Sequence, residues 1–211
     1  MPPPPPADSP PASSPPAPPS PIAGERVVLR AYEPSDAAAL QAAVAESRAH
    51  LRPWMPWADS GHLTVEESAA WIAGNRARWD AREELVWAIT RREDGRYLGG
   101  AGLHACRGTA IDWSIPALMI GYWIRASEEG KGYVGESVRL LTRTAFEHFH
   151  ANRLELRCDS DNVRSVAVME RAGFRFEGCH RSDGRKPSGA LRDTLVYAWT
   201  PDDYAAATRR G

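Results

Sequence analysis

The stretch Gly121-Tyr-Trp-Ile-Arg-Ala-Ser-Glu-Glu-Gly-Lys-Gly-Tyr-Val-Gly-Glu136 constrains this chain more than any other. Ile120 to Ile124 is an apolar run of strand length, rich in aromatic and β-branched residues. The chain then turns polar, with Gly130, Gly132 and Gly135 close together. From Val134 the apolar residues Val134, Val138, Leu141, Ala145, Phe146 and Phe149 recur at helical spacing. The stretch therefore reads as strand, glycine loop, helix. The first N–H groups of such a helix have no intrahelical partner, and glycines let a ligand approach them closely. The helix start also favours negative charge, so the expected guest is a phosphate or diphosphate. Lys131 adds a point charge. A plain strand-to-helix connection is the alternative, and the clustering of glycines favours the anion.

The kind of phosphate ligand is narrowed by what surrounds the glycines. A nucleoside-triphosphate loop requires Ser or Thr after its Lys, and Lys131 is followed by Gly132. The dinucleotide pattern Gly-x-Gly-x-x-Gly fits as Gly130-Lys-Gly132-Tyr-Val-Gly135, with Glu155 at the spacing of an acidic ribose partner. That loop belongs early in a parallel βαβ unit, however, and here it lies past the middle of a 211-residue chain.

The stretch resembles the acetyl-CoA loop of the GCN5-related N-acetyltransferase (GNAT) family, whose pattern is Gln/Arg-x-x-Gly-x-Gly/Ala. Glu129, Gly132 and Val134 fall at its marked positions, with Glu and Val as departures. A second segment, Asn162-Val-Arg-Ser165 followed by Gly173-Phe174, resembles the family's other signature, in which the Asn contacts the pantetheine arm. Asn162 also reads as a helix N-cap. Where many members carry a Tyr general acid, this chain has Met169, which has no proton to give. In the RimJ/RimL-type branch the Ser of Asn-x-x-Ser takes that part, which implies Ser165; the alternative is a hydroxyl bonded only to its own helix turn. Leu51-Arg-Pro-Trp-Met-Pro-Trp57 is similar to a segment of that same branch. Trp54 and Trp57 then either cap the core or form the aromatic wall of an acceptor pocket.

The resemblance spans about residues 25–200. It implies an α/β (α+β) fold: one domain with a mixed, mostly antiparallel twisted sheet flanked by helices, its central strands splayed into an acetyl-CoA cleft. It also implies an acetyl-CoA-dependent N-acetyltransferase acting on a primary amine, with the N-terminus of a ribosomal-type protein as the leading acceptor. A free amino acid, a polyamine, an antibiotic amine and a non-catalytic acyl-CoA-binding role stay open. The implied acetyl-CoA contacts are Ile124, Glu129, Gly130, Lys131, Gly132, Tyr133, Val134, Gly135 and Asn162, with no metal. Ile124 ends the strand beside which the pantetheine runs, and a free backbone N–H there polarises the thioester carbonyl. A general base is not marked; His104 and Asp112 are the candidates, although a lone His at a strand end is more often structural.

The rest of the chain agrees with one domain of this kind. Twelve of its 18 prolines lie in the first 21 residues, so residues 1–24 read as a disordered tail, with 25–203 the domain and 204–211 a C-terminal tail. Strands are expected at 25–32, 85–90, 97–104, 153–158, 174–179 and 191–199, and helices at 37–48, 64–80 and 163–172. Between the last two strands, 180–190 reads as a mobile loop over the acceptor side. With a formal net charge of −1, nothing argues for nucleic acid or a strongly charged surface as partner. No apolar run is long enough to span a bilayer. Cys106, Cys158 and Cys179 lack metal spacing and read as the reduced thiols of a cytoplasmic protein, monomeric or homodimeric.

Overall fold

The computed structural model describes residues 15–209. Eight strands form one sheet: β1 (Ile22–Ala23), β2 (Val27–Ala31), β3 (Leu85–Arg91), β4 (Tyr97–Ala105), β5 (Ala117–Ile124), β6 (Arg153–Asp159), β7 (Arg175–Arg185) and β8 (Leu191–Trp199). Their order is β1-β2-β3-β4-β5-β6-β8-β7. Every neighbouring pair is antiparallel except β5 and β6. That parallel step requires a crossover, which α3 (Tyr133–Arg143) supplies, extended by a wider turn over Thr144–His148. The mixed, mostly antiparallel sheet expected from the resemblance is present.

The sheet is covered on both faces. The helices α1 (Ala37–Leu51) and α2 (Val65–Asp80) pack on one side through Leu40, Val44 and Ile72, against Tyr32, Ala88 and Tyr97. On the other side α3 brings Val138 and Leu141 onto Leu29, Leu118 and Ile120. After β6, α4 (Val163–Arg171) buries Met169 in the same core. The position that lacks the tyrosine therefore serves packing, as a flexible apolar side chain filling a gap.

Local signals set most boundaries. Thr64 Oγ1 accepts the Glu67 N–H at 3.2 Å and starts α2, as the capping sequence predicts. Asn162 Oδ1 accepts the Ser165 N–H at 3.1 Å and starts α4, which closes at Gly173 with φ 80°. Glu136 anchors α3: its buried carboxylate accepts the backbone N–H groups of Arg26 at 2.8 Å and Val27 at 3.3 Å. The first turn of the helix is thus tied to the start of β2.

Three segments differ from the sequence reading. Residues 1–14 lie outside the described residues, but 15–24 do not hang free: Ile22 and Ala23 pair with Leu29 and Val28, and Trp87 Nε1 donates to Pro19 O at 2.9 Å. Residues 180–185, expected in a mobile loop, belong to β7. A register shift between His180 and Gly184 keeps the strand paired, and Lys186 at the turn is bound by Asp161. Residues 201–208, largely assigned to a C-terminal tail, form α5 (Pro201–Thr208), whose Tyr204 stacks on Phe146 at 4.9 Å. Proline-rich and charged composition is a statement about average segments, and here each segment finds an edge or groove to pair with. All three cysteines are free thiols. No helix of the described residues is long and apolar enough to cross a membrane.

Candidate active site

The sheet opens at its centre. Pairing between β5 and β6 ends at Ile120 and Leu156, yet β5 runs on to Ile124 and β6 to Asp159. Beyond that point β5 stays paired with β4 and β6 with β8, so the two strands part and leave a cleft. The Arg125 N–H donates to Leu98 O at 2.8 Å and the Cys106 N–H to Ala117 O at 3.1 Å. Odd-numbered residues of β5 therefore turn their backbone groups toward β4. By alternation Tyr122 and Ile124 turn theirs into the cleft, where no strand meets them.

The glycine loop lies where β5 ends. Among the described residues, none of the amides from Gly130 to Gly135 has a hydrogen-bond acceptor. Gly130 and Gly132 hold φ of 71° and 82°, a conformation that glycine adopts without strain. A Cβ on Gly130 would meet nothing within 4 Å, so the approach to these amides is open. Helix α1 holds the loop in place: Glu46 accepts the Ser127 N–H at 3.1 Å and Ser47 Oγ the Ala126 N–H at 2.9 Å. The Ser127 hydrogen bond, with Arg125 beside it, brings the Glu46 carboxyl down to about 2. Unpartnered amides in an open, rigid loop at a helix start fit a diphosphate.

The charges around the loop are not arranged as expected. Lys131 does not stand free; its Nζ lies 2.9 Å from Glu128, which is buried. Glu129 does not confront the loop with a bare carboxylate either, since Arg164 and His50 both hold it. The cation that the sequence reading missed is Arg26. Its guanidinium stands 5.4 Å from the Tyr133 ring centroid and donates to Lys131 O at 2.9 Å.

On the other side of the cleft, Asn162 leaves its side-chain NH₂ without an acceptor, and Ser165 Oγ makes no hydrogen bond to its own helix turn among the described residues. The Tyr122 hydroxyl is buried beside Ser165 without a hydrogen bond of ordinary geometry. Burial pushes this phenol up to about 12, the neighbouring Ser165 holding it down. Two hydroxyl groups thus converge from β5 and α4. Tyr122 was not singled out from sequence, although it lies in the organising strand.

The opposite face of β4 and β5 lines a cavity of about 630 Å³. Trp57 is in its wall, 5.8 Å from Trp123 between ring centroids, with Trp71 beside it. Trp54, expected there too, does not line it; Met55 does. Asp112, one of the two base candidates, is exposed in the β4–β5 loop and binds Ser114. His104, the other, lies in the cavity. Its Nδ1 is 2.7 Å from Glu84 Oε1, and Glu84 in turn accepts from Arg78 Nε at 2.8 Å. The His104 hydrogen bond, supported by Arg78, holds the Glu84 carboxyl down to about 2. Glu155, at the spacing of a ribose partner, is instead bonded to Arg153 at 2.5 Å and Arg157 at 2.6 Å. No pattern in the sequence ties Glu84, Trp71 or Trp123 to this site.

Comparison with known proteins agrees with this geometry. Residues 26–175 match the family model described as the acetyltransferase (GNAT) domain. The probable N-acetyltransferase YjcK of Bacillus subtilis is 28% identical over 86% of this chain and 98% of its own length. The [ribosomal protein uS5]-alanine N-acetyltransferase of Escherichia coli is 26% identical over 85% and 90%. Among solved structures, RimL, a ribosomal L7/L12 α-N-protein acetyltransferase in complex with coenzyme A, superposes with a TM-score of 0.75 at 26% identity, over 87% of this chain and 98% of that one. A central cleft between parting parallel strands, an open amide loop beside it and a match over most of the sheet converge: the chain belongs to the GNAT family of N-acetyltransferases.

Proposed function

We propose that the protein transfers the acetyl group of acetyl-CoA to the N-terminal amine of a protein. The observation that carries this reading is the row of unpartnered amides from Gly130 to Gly135 beside the gap between β5 and β6. Those amides, the N-terminus of α3 and Arg26 would hold the diphosphate. The free NH₂ of Asn162 would bind the pantetheine arm. When bound, acetyl-CoA supplies an activated acyl group.

The residues of the chain then act on that group in distinct ways. The cleft-facing N–H groups of Tyr122 and Ile124 stand where an oxyanion needs donors, and they need no reorganisation to act. Ser165 and Tyr122 supply hydroxyl protons at the departing sulfur. The cavity on the opposite face admits the amine, so the two substrates meet across the sheet and much of the rate comes from alignment.

A protein N-terminus is favoured as acceptor by the roomy, aromatic-walled cavity and by the acceptors named for the relatives at 26% identity. Mass spectrometry after incubation with acetyl-CoA, peptides bearing free N-termini and small amines tests this. The expected product carries one acetyl group on the peptide α-amine. Acetylation confined to small amines would overturn the acceptor class. Acetyl-CoA binding without any turnover would reduce the protein to an acyl-CoA binder.

A further inference from the structure

Three ionisable side chains of the cavity keep a potential proton acceptor that no hydrogen bond uses among the described residues, Glu67 Oε1, His62 Nε2 and His104 Nε2, and of the two histidines only His104 has its other ring nitrogen on a carboxylate. Glu67 accepts the Leu63 N–H at 2.8 Å, and His62 has its Nδ1 3.0 Å from Ser68 Oγ. Burial lowers the pKa of His62. Glu84 is committed to His104 and Arg78. His104 has Nδ1 on Glu84, while its Nε2 has no hydrogen-bond partner among the described residues. That bond orients the imidazole, and in the neutral ring it places the proton on Nδ1 and the lone pair on Nε2.

Where Nε2 points is set by two glycines. Gly102 and Gly121 are paired across β4 and β5, and a Cβ on either would stand 2.9 Å from Nε2. The ring therefore brings its Nε2 edge over a gap in the sheet that the paired glycines leave. Gly121 follows Ile120, the last residue of β5 to pair with β6, and precedes Tyr122, whose N–H turns into the cleft. Nε2 thus sits over the point where the sheet opens, on the face that carries the acceptor cavity. A histidine kept only for packing would need neither the paired glycines nor a carboxylate on Nδ1.

We propose that His104 is the catalytic base of acetyl transfer, accepting at Nε2 the proton of the acceptor amine, with Glu84 as its positioning residue. This rests on the acetyltransferase reading above. The amine lone pair forms the N–C bond at the acetyl carbonyl, and the amine proton passes to Nε2. The C–S bond then breaks with its electron pair on sulfur, which takes a proton from Ser165 or Tyr122, and that hydroxyl regains its proton from solvent. The proton on His104 leaves to solvent through the cavity. The charged and titratable groups that line the cavity with the imidazole are Glu84 ahead of β3, Arg78 and Glu67 on α2, His62 in the loop before α2, Tyr32 after β2 and Tyr122 on β5.

The test uses the full-length protein and the variants His104→Gln and Glu84→Gln. ¹⁵N NMR of the ligand-free wild type is expected to show the neutral His104 ring with its proton on Nδ1 and none on Nε2, a readout independent of turnover. His104→Gln is expected to lower kcat/KM about 100-fold while leaving acetyl-CoA affinity and melting temperature close to wild type. Glu84→Gln is expected to lower kcat about tenfold with KM for acetyl-CoA unchanged, and to move the low-pH limb of kcat/KM to lower pH. His104→Ala supplied with free imidazole is expected to recover part of the lost rate. Should His104→Gln turn over at the wild-type rate, or His104 carry its proton on Nε2, the base is another group. A wild type that binds acetyl-CoA but acetylates nothing would overturn the acetyltransferase reading and this proposal together.

Discussion

Arg164 Nη1 lies 2.9 Å from both carboxylate oxygens of Glu129, joining the glycine loop that follows β5 to the first turn of α4, which follows β6. The bridge therefore links the two sides of the opened cleft. His50 Nε2 stands 3.0 Å from the same carboxylate. A glutamate beside a diphosphate site is repulsive when bare, and here its charge is offset before any ligand arrives. Replacing Glu129 with Gln removes the carboxylate and frees Arg164, and acetyl-CoA should bind about three- to tenfold tighter in low salt, the gain fading as ionic strength rises. Arg164→Ala should weaken binding, since it uncovers the carboxylate. Calorimetry at two salt concentrations checks both, and weaker binding by Glu129→Gln would mean the carboxylate itself serves the ligand.

Glu136 couples pH to stability. Burial raises its carboxyl, but the backbone N–H groups of Arg26 and Val27 and the Arg26 guanidinium outweigh burial and leave it below the ordinary carboxylate range. A group depressed in the folded state stabilises above its unfolded value, about 4.3 for Glu, and that contribution is lost as pH falls through the folded value. Glu136→Ala leaves two N–H groups without their acceptor and should cost about 2–4 kcal/mol near neutral pH. Urea denaturation of both proteins should show the gap narrowing below about pH 4. A gap independent of pH would place the effect in packing alone.

Gly121 is a site where space can be probed apart from chemistry. The three nearest atoms to a Cβ there all belong to the His104 ring. Gly121→Ala should push that ring off its position and lower kcat by at least about tenfold, with melting temperature little changed. Full activity in Gly121→Ala would show that the placement of the imidazole over the glycine pair is without consequence.

Ser165 and Tyr122 present two hydroxyls to one place, so their losses should not add. Each single variant, Ser165→Ala or Tyr122→Phe, should lower kcat about three- to tenfold, and the double variant by more than the product. Steady-state kinetics of all four proteins closes the cycle. If Ser165→Ala and the double variant both turn over at the wild-type rate, the sulfur is protonated by solvent.

Much of the site was legible in the chain because its signals are local. The glycines of the loop, the N-cap Asn162 and the apolar spacing from Val134 act within a few residues of themselves, and the structure realises each one. The aromatic segment was half legible: Trp57 lines the cavity, while Trp54, three residues earlier, does not. Arg26 left no trace near the loop it touches, being 105 residues from Lys131 in sequence.

Composition misled where a polar or proline-rich segment found a partner. Residues 15–24 pair with the sheet edge, and 180–185 stay in β7 through a register shift that no residue type announces. Likewise nothing in the sequence around His104 separates a structural histidine from a base. The distinction lies with Glu84, with Arg78 behind it, and with a pair of facing glycines on two strands.

By itself, then, the sequence determined the strand, loop and helix at the centre, the capped helix that flanks it and the family they announce, because hydrogen bonding and periodicity along a chain are near-neighbour effects. Tertiary structure alone decided which charges are already paired, which hydroxyls converge and which imidazole nitrogen is left free. Those depend on contacts between residues far apart in sequence, and only packing sets their distances.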